Sequence, residues 1–322
     1  MTPIAPVVGC LPTIDAVVAV RRMSPSTYRR VTLFAALSLA AIVLTGATVR
    51  LTGSGLGCTD WPNCSQGRLT PAEIDDAPAM IEFVNRLVTG LVSIAAIVAV
   101  LGSLVRQPRR RDLTWLSWGL VAGVLAQIVL GGLVVLFDLS PRLVMGHFLL
   151  SMLIIWNAVV LHHRAGRPSA TVTSIVSDRL RTMVRLTFVA TSAAVVTGTV
   201  VTASGPHAGD EQAERLNIVV RDVARIHSIV VLVTLAIVLL TLRWMWDDRA
   251  PAVVRNAGRL LLVVLVAQGA VGYTQYLTGV PALLVGAHVV GAVAVWVAAI
   301  HLNLVTSAAG QPERVPVEAM VS

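Results

Sequence analysis

The sequence predicts an all-α integral membrane protein of eight transmembrane helices, arranged as two tandem four-helix bundles related by a pseudo-two-fold axis along the membrane normal. Three observations predict it. Of 322 residues, 56% are hydrophobic and 13% charged, whereas a soluble domain is about a quarter charged, and the mean hydropathy is +0.79. Eight apolar runs are each long enough to cross a hydrocarbon core, which takes about 20 residues. The last four runs also repeat residues of the first four at a nearly fixed offset.

The runs fall, in order, at about 31–49, 83–105, 114–136, 143–161, 184–203, 224–243, 258–277 and 283–305. Residues 1–30 precede them as a tail. The apolar stretch from Ile14 to Val20 is short for a signal peptide and runs into Arg21 and Arg22, so the tail is read as uncleaved. The first half of the protein is 31–163, with a polar, cysteine-bearing loop at 50–82. A linker at 164–183 leads to the second half, 184–305, and residues 306–322 form a second tail.

Charge orients these runs. Arg29 and Arg30 precede the first, Arg106, Arg109, Arg110 and Arg111 fill the second connector, and Arg164, Arg167, Arg179 and Arg181 the fourth. Arg243, Arg249, Arg255 and Arg259 flank the sixth. The alternate connectors carry acid: Asp60, Glu73, Asp75 and Asp76 in the first, and Asp210, Glu211 and Glu214 in the fifth. The positive-inside rule then makes this a multi-pass protein of the cell membrane with both termini cytoplasmic. The net charge of +8 is accounted for by this orientation against membrane lipid, and a nucleic-acid partner is not expected. Trp115, Trp118, Trp244 and Trp246 near the cytoplasmic ends fit an aromatic belt.

The repeat sets the architecture. Gln127 and His147 stand 20 positions apart, as do Gln268 and His288, and the two pairs are separated by 141 residues. Asn85 lies opposite His227 at an offset of 142, and Thr45-Gly46 opposite Thr197-Gly198. A unit of four spans enters the membrane twice in the same orientation, which relates the copies by an axis along the membrane normal.

Ionisable groups at the ends of apolar spans are expensive and default to function. His227 and His288 lie near the outer starts of the sixth and eighth spans, at one depth, where two histidines meet across a bundle core. Zinc would want three or four ligands, whereas heme iron takes two axial histidines. The alternative is a pair of buried hydrogen-bonding groups. Arg225 stands ready to pair with a propionate. In the first half His147 matches His288, but Asn85 replaces His227, with Glu82 three residues earlier on the same helix face. A carboxylate there suits proton transfer, or it is simply a solvated group favoured by the helix dipole. His162, His163 and His301 at the cytoplasmic ends read as interface groups, and His207 as solvated loop. Cys58 and Cys64, on the outer side with Pro62 between them, suit a small disulfide loop or stand as two free thiols.

The stretch TGATVRLTGSGLGCTDWPNC, followed by IEFVNRL and by histidines in MGHFLLS, RIHS and GAHVVGA, resembles the heme A synthase family over most of the chain. The resemblance implies eight helices from a duplicated four-helix unit and an oxidoreductase that oxidises the C8 methyl of heme O to the formyl of heme A. It implies heme b held by His227 and His288, a substrate heme on His147, an essential carboxylate at Glu82, and a disulfide between Cys58 and Cys64. Heme O synthase and an electron-transfer protein are the partners such an enzyme implies. Asn85 stands where many members carry histidine. Two other functions suit the histidine pattern: a non-catalytic b-type cytochrome and a heme transporter or delivery protein.

Overall fold

Eight helices carry the chain among residues 22–309, the part that this computed structural model describes. They are α1 Pro25–Leu51, α2 Ala77–Val105, α3 Arg111–Leu136, α4 Pro141–Ala165, α5 Asp178–Ser204, α6 Val220–Asp247, α7 Ala252–Leu277 and α8 Ala282–Val305. All eight are long and apolar enough to cross a membrane. Expectations for Arg21, the Ile14–Val20 stretch and the end of the second tail lie outside the described residues.

The helices begin and end beyond the apolar runs, so several boundaries move. α1 starts inside the expected tail because Ser24 caps it, accepting from the Thr27 amide at 3.1 Å, and Pro25 opens it. Asp76 caps α2 by accepting from Ala79 N at 3.2 Å, which shortens the cysteine loop to 52–76. Ser177 caps α5 inside the expected linker. Capping is local polar chemistry at the membrane surface, and hydropathy alone does not register it.

Each half closes into a ring. α1, α2, α3 and α4 are neighbours in chain order and α4 returns to α1, and α5, α6, α7 and α8 close in the same order. The rings meet along α4, α8, α1 and α5. There Trp296 stacks on Phe188 at 5.0 Å and donates through Nε1 to the Met152 carbonyl at 2.8 Å. The buried face of α2 is Val92, Ala95, Ala96, Ala99 and Gly102. Small residues suit a bilayer, where association depends on close backbone approach rather than on escape from water. Leu33, Phe34, Leu37, Ile94 and Leu101 point outward, the orientation that lipid solvates.

Both ends are tied. At the arginine-rich end, β1 Val172–Ser174 pairs antiparallel with β2 Ser307–Ala309, and Arg110 bridges Asp112 at 2.6 Å while donating to the Arg167 carbonyl at 2.7 Å. At the other end Arg50, from α1, donates to the Thr202 carbonyl of α5 at 2.6 Å and to the His207 carbonyl. His207 is therefore not a solvated loop residue: its ring is half-buried and its Nε2 lies 2.8 Å from the Val280 carbonyl. With no repeat partner to mark it, its role in holding two connectors together had no counterpart in the sequence pattern.

Candidate functional site

In the second ring His227 sits seven residues into α6 and His288 six residues into α8, each about 10 Å from its helix start at 1.5 Å per residue. Each lies against a glycine of the neighbouring helix: a Cβ on Gly198 of α5 would stand 3.2 Å from His227 Cε1, and one on Gly272 of α7 2.9 Å from His288 Cε1. His227 Nδ1 is 3.0 Å from Thr197 Oγ1, whose own proton goes to the Ala193 and Ala194 carbonyls at 3.0 and 3.1 Å. The hydroxyl oxygen therefore accepts from Nδ1–H and leaves the Nε2 lone pair free for a metal. His288 Nδ1 is buried with no partner among the described residues. Gln268 Nε2 donates to the His288 carbonyl at 2.7 Å and fixes the helix register.

The first ring repeats this seating in part. Gln127 Nε2 donates to the His147 carbonyl at 2.9 Å, the His147 ring lies 3.2 Å from a Cβ built on Gly131, and His147 Nδ1 is buried without a partner among the described residues. Thr45 donates to Asn85 Oδ1 at 2.8 Å, the counterpart of the contact between Thr197 and His227. The shorter side chain changes the space around it. Gly46, the counterpart of Gly198, has no atom from another part of the described residues within 4 Å of where its Cβ would stand.

The loop between α1 and α2 closes over this ring. Cys58 and Cys64 form a disulfide and are fully buried with Ala79 and Phe83. Trp61 packs directly on Gly132, next to the glycine that seats His147. Glu82 is 5% exposed, so it is not a solvated carboxylate. Its Oε2 accepts from Cys58 N at 2.9 Å, and its Oε1 pairs with Arg86 at 2.6 Å. Arg86 also donates to the carbonyls of Cys58 at 2.9 Å and Asn63 at 2.7 Å. Glu82 and Asn85 thus meet different neighbours, the loop and α1, although three residues separate them. A carboxylate at position 82 reaches the loop because α2 starts at Ala77, near the membrane surface.

The remaining histidines fall at the arginine-rich end. His163 and His301 meet edge to face at 6.4 Å between α4 and α8, and His162 Nδ1 lies 3.2 Å from Thr32 Oγ1. Arg225 is exposed on α6. Sequence reasoning missed Arg86, Trp61 and the glycine seats. Arg86 had a signal, being one turn from Glu82, but the glycines had none until their neighbours were known. Among the described residues no three His, Cys, Asp or Glu stand together as a metal-ion site.

The sequence is similar to those of several known proteins. The chain is 37% identical over 128 residues to a heme A synthase of Lysinibacillus sphaericus, covering 39% of this chain and 41% of that protein. It is 32% identical over 129 residues to one of Exiguobacterium sibiricum, covering 40% and 43%. A third, from Geobacillus kaustophilus, is 34% identical over 108 residues, 33% of this chain and 32% of its own. The matched stretches thus span less than half the length of each relative. The model of the family described as "Cytochrome oxidase assembly protein" is matched more fully, over residues 29–300. With nearly all of its eight helices inside that match, the chain belongs to the cytochrome oxidase assembly protein family.

Proposed function

We propose that this protein is a heme A synthase, a membrane oxidoreductase that oxidises the C8 methyl of heme O to the formyl group of heme A for terminal oxidase assembly. The observation that carries the proposal is the pair of glycine-seated histidines in the second ring, with a partial copy in the first beneath a latched loop. His227 and His288 hold heme b through Nε2, with Thr197 fixing the tautomer of one ring. Bound there, heme b supplies one-electron transfer. His147 holds the substrate heme.

Converting a methyl to a formyl group takes one oxygen atom from water and releases four protons and four electrons. The protein must therefore hold the macrocycle edge, keep bulk water out and accept protons. The disulfide loop and Trp61 cover the first ring. Glu82 is the proton-handling carboxylate, and its bonds to Cys58 N and Arg86 make the same group the loop's latch. The two rings are tandem copies related by a pseudo-two-fold axis along the membrane normal. The arginine-rich ends and both termini face the cytoplasm, and the heme sites face outward. Heme O synthase is the expected donor of substrate, and an outer electron-transfer protein the acceptor.

The test is expression with a source of heme O, followed by extraction and chromatography of the hemes. Heme A should appear. Unchanged heme O together with a bis-histidine b-type spectrum would overturn the proposal in favour of a non-catalytic cytochrome.

A further inference from the structure

The two rings offer an internal control for what a ligand position looks like when it is filled. In the second, Thr197 binds an imidazole, and that ring fills the space against Gly198 at 3.2 Å. In the first, the matching threonine binds the carboxamide of Asn85, and the space against Gly46 is open to at least 4 Å. Asn85 cannot make up the difference. Its side chain ends short of the reach of an imidazole Nε2, and its oxygen is engaged by Thr45. A neutral carboxamide is also a poor ligand for heme iron beside imidazole, thiolate or thioether. The opposite wall is intact, since His147 keeps the glycine seat, the glutamine bond to its carbonyl and the buried Nδ1 that characterise His288.

From this contrast we propose that the heme of the first ring is held by iron on one face only, through His147. Its other face opens on a pocket bounded by Thr45, Gly46 and Asn85 that admits a small ligand of diatomic size to the iron. This deepens the proposed function and rests on it, because it requires a heme at His147. The polar lining from Thr45 and Asn85 suits a ligand that accepts a hydrogen bond. The second ring, with both faces taken by histidine, has no such position.

Carbon monoxide is the probe. Protein purified with heme O supplied is reduced with dithionite and titrated with carbon monoxide, and the difference spectrum is recorded for wild type, H147A, N85H and G46V. The expected result is a carbon monoxide spectrum from one of two hemes, lost in H147A together with that heme. N85H should keep the heme and lose the carbon monoxide response, because an imidazole fills the pocket. G46V, whose side chain enters open space, should slow carbon monoxide association while the heme stays bound. The unresponsive spectrum of the His227 and His288 site reports in every sample that the protein is folded. A heme that depends on His147 but ignores carbon monoxide in wild type overturns the open face alone. Heme content unchanged by H147A overturns both the open face and the placement of substrate in the first ring.

Discussion

Replacing Arg86 with alanine should unlatch the cysteine loop. The guanidinium pairs with Glu82 at 2.6 Å and donates to the carbonyls of Cys58 and Asn63 at 2.9 and 2.7 Å, with a longer contact to Pro62 at 3.3 Å. The carboxylate side chain is 7% exposed and the guanidinium 24%. Removing one partner of a buried pair costs about 3–5 kcal/mol, and the water that reaches Arg86 puts this case at the low end, about 3 kcal/mol. At 1.4 kcal/mol per tenfold, the loop should open about a hundredfold more often. Cys58 and Cys64 are 0% exposed, so a reductant must wait for that opening, and reduction tracks the opening equilibrium. The assay is timed alkylation under mild dithiothreitol, read by mass spectrometry in detergent. Wild type should be reduced about a hundredfold more slowly than R86A. R86K, which keeps the charge but loses the forked geometry, should fall between them. Reduction of R86A within about twofold of wild type would refute the latch, provided its heme spectrum is that of wild type.

Three other substitutions address the site itself, and a fourth serves as a control. T197V removes the hydroxyl that accepts from His227 Nδ1, and loss of such an outer-shell partner weakens metal binding about 10–100-fold; heme transfer to an apo-globin acceptor should quicken accordingly. G272V puts a side chain where the first carbon already stands 2.9 Å from His288 Cε1, so the ring must move and the second-ring spectrum should be lost. G269A, on the same helix with nothing within 4 Å, should leave that spectrum unchanged, and equal effects of the two would rule out the seat. E82Q keeps an acceptor for Cys58 N but cannot ionise. It should lower heme A formation by about 10²–10⁴-fold, the range for a general acid or base, with less disulfide exposure than R86A. Full turnover by E82Q would remove Glu82 from proton transfer.

The span count was legible in the sequence because it follows from composition, whereas spacing left Cys58 and Cys64 open between a disulfide and two free thiols, and the bridge was implied by the family resemblance. Helix ends were less so. Ser24, Asp76 and Ser177 cap outside or at the edge of the apolar runs, and capping depends on one side-chain oxygen rather than on a windowed average. Burial of Glu82 was opaque for a different reason. A carboxylate near a helix start is ordinarily solvated and favoured by the dipole, and only the fold brings Cys58 N and Arg86 to its two oxygens. Thr45 and Thr197 were visible as repeated letters, but their partners, Asn85 and His227, come from neighbouring helices whose pairing the spacing alone did not specify.

The departures of the first ring from the second lie at one end of one ring, and each carries a cost that packing alone would not retain. Open space beside Gly46 forfeits dispersion contacts that an imidazole supplies beside Gly198. A carboxylate taken out of water at Glu82 loses hydration that its bonds must offset. Trp61 presses on Gly132, beside the Gly131 that seats His147, whereas α7 carries Tyr273 at the matching position, bonded to Ser228 at 2.6 Å within its own ring. Local choices that work against stability concentrate where a protein does chemistry. A permanent cofactor gains from a filled, symmetric seat of the kind His227 and His288 make. On the proposed function, a molecule that must enter, be changed and leave needs a seat that holds one face, a free space beside the other and a cover that opens, the combination proposed for the surroundings of His147.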